Sequence, residues 1–158
     1  MKTAKRILVS ALAFLWLISM SACSASEKGL TMDALLKAET RDDIIELLGE
    51  PSSSEDLRDY YDSVEYLGAA YVVLVSYLGD APQEIHLAYF EETKQAKACV
   101  SSAAHTLTET YGEPDIWNSP VNTTTYTWNI DGREIELQDN TDNEVLADYF
   151  PYYIAISY

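Results

Sequence analysis

Two identical triplets, Gly49-Glu50-Pro51 and Gly112-Glu113-Pro114, punctuate the chain 63 residues apart. Glycine adopts the left-handed conformation that closes a helix, and a proline shortly after forbids its continuation. The first triplet follows Asp43-Ile44-Ile45-Glu46-Leu47-Leu48, the end of an amphipathic helix for which Thr40 is a candidate cap. The second follows Leu107-Thr108-Glu109-Thr110-Tyr111. One common stop signal occurring twice by coincidence is the simpler explanation. A helical pattern before each triplet and strand patterns after it favour an internal duplication.

After the first triplet, Ser63 to Leu67, Tyr71 to Leu78 and Glu84 to Phe90 carry strand patterns, the middle one nearly all apolar. Gly79-Asp80-Ala81-Pro82 reads as a turn. A long helix is predicted from Glu92 to Tyr111. Thr124 to Ile130 and Arg133 to Gln138 flank Asp131-Gly132, the composition of a type I′ hairpin. A last strand is predicted from Tyr152 to Tyr158, and a short helix from Met32 to Lys37 with Thr31 as its cap. The expected class is therefore α+β: a tandem (α)αβββ–αβββ repeat, an antiparallel sheet with helices packed on one face. It forms a single domain over 31–158 with similar halves at 31–90 and 91–158.

Helix, helix and three strands, with a Leu-Leu-Gly-x-Pro helix end at Leu47 to Pro51, resemble the SmpA/BamE-type lipoprotein domain. A tandem pair of such units is also similar to the beta-lactamase inhibitor protein. The resemblance covers Thr31 to Phe90 best and implies protein binding rather than catalysis.

The amino-terminal segment is an address. Lys2, Lys5 and Arg6 precede an apolar run from Ile7 to Ile18, shorter than the roughly 20 residues of a membrane-spanning helix. A basic start, a short apolar stretch and small residues behind it make a secretory signal peptide. Ser19-Met20-Ser21-Ala22-Cys23 resembles the lipobox of bacterial lipoproteins, with Met20 where Leu is usual. The resemblance implies cleavage between Ala22 and Cys23, removal of residues 1–22, and acylation of Cys23, which anchors the chain in a lipid bilayer. Plain secretory cleavage leaving a free Cys23 is the alternative. Residues 23–30 then form a lipidated tether. Several acyl chains hold where one does not, each buried methylene contributing about 0.8 kcal/mol.

Lys and Arg number 10 against 26 Asp and Glu, a net charge of −16. The leader carries three of the positive charges and none of the negative ones, so the body from Cys23 onward carries −19. Such a body offers no basic patch for nucleic acid. It is repelled by anionic headgroups and stands off the membrane on its tether.

Chemistry is sparse. His86 falls on the wetter face of a strand and His105 on a helix, neither with a companion at ligand spacing. Cys99 recurs with Ala96, Val100, Ala103 and Leu107 at helical spacing and reads as a small buried hydrophobe. The run Asp139 to Glu144 has oxygen ligands of the calcium type but lacks the EF-hand glycine and glutamate, and reads as a solvated loop. Asp42-Asp43 and Glu91-Glu92 suit first helical turns. No phosphate-cradling glycine loop or nucleophile elbow occurs. The sequence points to no enzyme and to no cofactor.

Tyrosine is abundant, at 12 residues. Tyr60-Tyr61 and Tyr152-Tyr153 place rings on adjacent strand positions, which face opposite sides of a sheet. Tyr60, Tyr61, Trp117, Tyr152 and Tyr153 are thus candidates for an aromatic binding patch; packing against helix ends is the simpler fate for them. The expected function is a membrane-anchored, extracytoplasmic protein-interaction module whose partner is an envelope or surface protein. A lipoprotein capturing a small ligand or glycan is the alternative.

Overall fold

The computed structural model describes residues 29–90 and 93–158. The leader, Ala22, Cys23, the tether up to residue 28 and the Glu91-Glu92 pair lie outside these residues.

Helix α1 (Met32–Lys37) opens on Thr31, whose hydroxyl accepts from the Ala34 N–H at 3.2 Å. Helix α2 (Arg41–Leu48) opens on a reciprocal capping box. The Thr40 hydroxyl accepts from the Asp43 N–H at 3.2 Å, and the Asp43 carboxylate accepts from the Thr40 N–H at 2.9 Å. Gly49 ends α2 at φ +86°, a conformation strained for any residue with a Cβ. Then come β1 (Ser53–Glu55), β2 (Arg58–Tyr66), β3 (Ala69–Leu78), β4 (Ala81–Tyr89) and α3 (Thr93–Tyr111). β5 (Asp115–Asn118), β6 (Thr124–Ile130), β7 (Arg133–Asp139), a 3-10 turn (Leu146–Asp148) and β8 (Tyr152–Ser157) complete the chain.

All eight strands share one antiparallel sheet in the order β1-β2-β3-β4-β8-β7-β6-β5. The β6–β7 hairpin turns on Asp131-Gly132, both at positive φ, as a type I′ turn requires. In β2 the register slips between Tyr61 and Val64, with Ser63 at φ +54°. This bulge lets residues on both sides of it keep their inward aim.

The expected tandem (α)αβββ–αβββ repeat with helices packed on one face is not the architecture. Among the described residues the molecule is mostly an eight-stranded sheet, with 44% of them in strands against 27% in helices. Two strands, β1 and β5, follow the two Gly-Glu-Pro triplets where no strand was expected. Both are short and exposed at every position, so no alternation of apolar and polar residues announces them. Two short helices precede the first four strands and one precedes the last four.

A single buried cluster draws on strand and helix side chains alike. Tyr71, Val73 and Val75 on β3, Ile85 and Leu87 on β4, and Ile154 and Ile156 on β8 join Leu35, Ile44, Val100 and Leu107 in one buried cluster. Tyrosines take an unusual share of it. Tyr61, Tyr66, Tyr71, Tyr77, Tyr89 and Tyr152 are all buried. The Tyr71 and Tyr152 hydroxyls share a hydrogen bond of 2.7 Å, and the Tyr89 and Tyr152 rings stack at 4.8 Å. For Tyr71 and Tyr152, pairing the two hydroxyls is what makes burial of the rings tolerable. The Trp128 indole N–H donates to the Gly112 carbonyl at 2.9 Å, tying the second helix stop to the sheet. Cys99 is half-buried against this cluster rather than fully enclosed.

Candidate functional site

Successive residues of a strand face opposite sides of the sheet, so the pairing register sorts every side chain. The face away from the core carries two cross-strand rows. One runs Tyr60, Leu74, His86, Ala155, Glu136, and the other Val72, Ala88, Tyr153, Gln138, Thr125, Trp117. Apolar residues dominate where β2, β3 and β4 meet, and polar ones take over toward β7.

A wall rises beside this floor from the segment joining β7 to β8. Its shape is set by two buried asparagines. Asn140 Oδ1 accepts from the Thr123 hydroxyl at 3.0 Å and from Gln138 Nε2 at 2.9 Å, while its Nδ2 donates to the Phe150 carbonyl at 2.9 Å. Asn143 Oδ1 accepts from the N–H groups of Val145 and Leu146, and its Nδ2 donates to the Val121 carbonyl at 2.8 Å. The segment 139–144, read from sequence as a solvated loop, is thus a brace tied by Asn140 and Asn143 to the chain around it. Among the described residues no group of three or more His, Cys, Asp or Glu side chains is placed to hold a metal ion.

The brace sets Leu146 and Phe150 over the edge of the floor, where Phe150 meets Phe90 edge-on with ring centroids 5.5 Å apart. Floor and wall enclose a half-open groove of about 490 Å³. Phe90 and Phe150 at its mouth remain 52% and 48% exposed, and Val72 on its floor 37%. Apolar side chains gathered in one concavity and left open to water make this groove the candidate site.

Polar groups of the groove are mostly engaged with one another. The Tyr153 hydroxyl lies 2.7 Å from Glu136 Oε1 and 2.6 Å from Gln138 Oε1. Burial first, and then the Glu136 carboxylate, push that hydroxyl's pKa up from its ordinary value. His86 Nε2 sits 2.8 Å from Glu84 Oε1, and its ring lies 5.7 Å from that of Tyr153.

The aromatic candidates separate accordingly. Tyr60 and Tyr153 line the groove. Trp117 shares the outer face but lies three strands from Tyr153, roughly 14 Å at the usual strand spacing. Tyr61 and Tyr152 point into the core and are 2% and 0% exposed, so the five residues do not form one patch. Val72, Leu74, Phe90, Leu146 and Phe150 were not anticipated as site residues. One signal for the floor was present: in Tyr71-Val72-Val73-Leu74-Val75 both faces are apolar, and a sheet covered on one side leaves the second set open.

No protein-family model matches the chain, and no curated protein matches it. Among solved structures it is similar to a DUF4309 family protein, YjgB, from Bacillus subtilis subsp. subtilis str. 168. The TM-score is 0.43 and the identity 17%, over 82% of each chain. At that level of likeness the function must be read from the chain's own geometry.

Proposed function

We propose that this chain is a bacterial lipoprotein, anchored through acylated Cys23 on the extracytoplasmic side of the cell membrane, that binds another envelope or surface protein without catalysing a reaction. The observation that carries the binding half is the open apolar groove on the sheet's outer face. The anchoring half rests on the Lys2–Ile18 leader pattern and the lipobox Ser21-Ala22-Cys23. The two fit together: a body of net charge −19 held near a bilayer it does not lie on presents its groove to partners in the envelope.

Crosslinking and capture in the native envelope test the binding half, comparing wild type with Tyr60→Ala and Tyr153→Ala. Both substitutions spare the core, unlike changes at Tyr61 or Tyr152. Loss of the captured partner is expected, and unchanged capture by both variants overturns the assignment. For the anchor, labelled fatty acid is expected in the wild type and not in Cys23→Ala; equal labelling overturns it. Small-ligand capture is the second reading, favoured by a volume within the roughly 300–1,000 Å³ typical of ligand sites. Against it, few polar groups of the groove are free to orient a small molecule.

A further inference from the structure

The outer sheet face is unevenly charged around the groove. Arg58, Ser76, Glu84, Ser157 and Glu134 form the next cross-strand row, and Glu136 stands beside His86 through Ala155. Asp148 lies exposed beyond the brace, between Leu146 and Phe150. Arg58 is the one cation in these rows, against Glu84, Glu134 and Glu136. An apolar floor is therefore bordered on its β4–β7 side by carboxylates, two of which, Glu84 and Glu136, already hold His86 and Tyr153 against the groove.

Apolar contact supplies affinity here and the bordering charge supplies orientation. A fatty acid or neutral lipid gains nothing from the carboxylates, and an acidic segment is repelled by them. A small polar ligand finds Tyr153, Gln138 and Asn140 bonded to one another. Resting on the groove being the binding site, we propose that its occupant is a segment of a protein presenting apolar side chains flanked by Lys or Arg. The apolar side chains fill the floor between Val72, Leu74 and Phe150, and the cations meet Glu84, Glu134 and Glu136. Recognition of an amphipathic segment by a groove needs this pairing of buried anchors and peripheral charges.

The test uses the full chain in phosphatidylcholine nanodiscs, with empty discs as the blank, and three labelled probes. One is an amphipathic Leu/Lys peptide, the second has Glu for Lys, and the third has Ser for Leu. A photo-crosslinking residue at Val72 locates binding. The Leu/Lys peptide is expected to bind saturably and crosslink, with the other two weaker by about tenfold or more. Val72→Lys, a change at an already exposed position, is expected to abolish binding with the melting temperature unchanged. Glu84→Gln and Glu136→Gln are each expected to weaken it about two- to fivefold and to flatten its salt dependence. Equal crosslinking by the Lys and Glu peptides leaves the groove as a site and overturns the cationic partner. Crosslinking of a labelled fatty acid instead overturns the protein segment. Absence of crosslinking by peptides and fatty acid alike overturns the groove assignment itself.

Discussion

The Asp59 carboxylate is fully buried, and its partner is Arg41 at the first turn of α2. Arg41 Nε donates to Asp59 Oδ2 at 2.8 Å, a second guanidinium nitrogen reaches Oδ1, and the guanidinium lies over the Tyr77 ring at 5.1 Å. Burial, the largest single influence, pushes the Asp59 pKa up, but the hydrogen bonds and charge of Arg41, together with the Ser54 and Tyr77 hydroxyls, outweigh it and hold the group below the ordinary carboxylate range. Arg41→Ala strands a buried charge and is expected to cost about 2–4 kcal/mol in denaturant melts. Arg41→Lys is expected to recover only part of that, because an ammonium cannot make the two-pronged contact. The Tyr71–Tyr152 hydroxyl pair makes a complementary case. Either Tyr→Phe change alone leaves one buried hydroxyl unpartnered and is expected to cost about 1–2 kcal/mol. The double change is expected to cost less than the sum of the two, which a double-mutant cycle measures directly.

At the level of elements, Gly49 stops α2 with φ +86° and ψ −171°, a region open in practice to glycine alone. A Cβ there would meet nothing within 4 Å, so any cost of substitution is backbone strain and not a clash. Gly49→Ala is expected to lower stability by about 1–3 kcal/mol by urea titration, with an unchanged fold by circular dichroism. Elements governed by local rules were legible in the sequence. Thr31 and Thr40 cap helices, Asp131-Gly132 turns a hairpin, and Tyr71–Val75 forms a central strand, each because a few neighbouring residues settle the matter. Ser53–Glu55 and Asp115–Asn118 were not legible, since edge strands owe their existence to a partner strand rather than to any pattern of their own. The groove was legible through Tyr60 and Tyr153 and, less directly, through the two apolar faces of Tyr71–Val75. Its other parts are assembled from β3, β4 and the 140–151 segment, whose proximity is a product of sheet order and of Asn140 and Asn143 bonding across loops.

For the whole molecule, buried ionisable groups bound the pH range of stability on both sides. The depressed Asp59 contributes stability that is complete above the unfolded value of about 3.9 and is lost as pH falls through the folded one. Burial pushes the Tyr61 and Tyr71 hydroxyls up to about 12. Their contribution is complete below the unfolded value of about 10 and is lost as pH rises from there toward 12. A plateau of melting temperature between about pH 4 and pH 10, falling at both ends, is the expected outcome of a thermal scan series. Tyr71→Phe should move the alkaline fall upward if buried tyrosines cause it. Sheet order has a consequence of another kind. β8 is the last strand to be made, yet it sits at the centre, pairing with β4 on one side and β7 on the other. Glu84 must wait for Ser157, and Tyr89 for Tyr152. The sheet therefore stays in two parts until the residues of β8 are available to pair. It becomes one body in a single late event, when the final strand enters the gap that two unfinished meanders have left open for it.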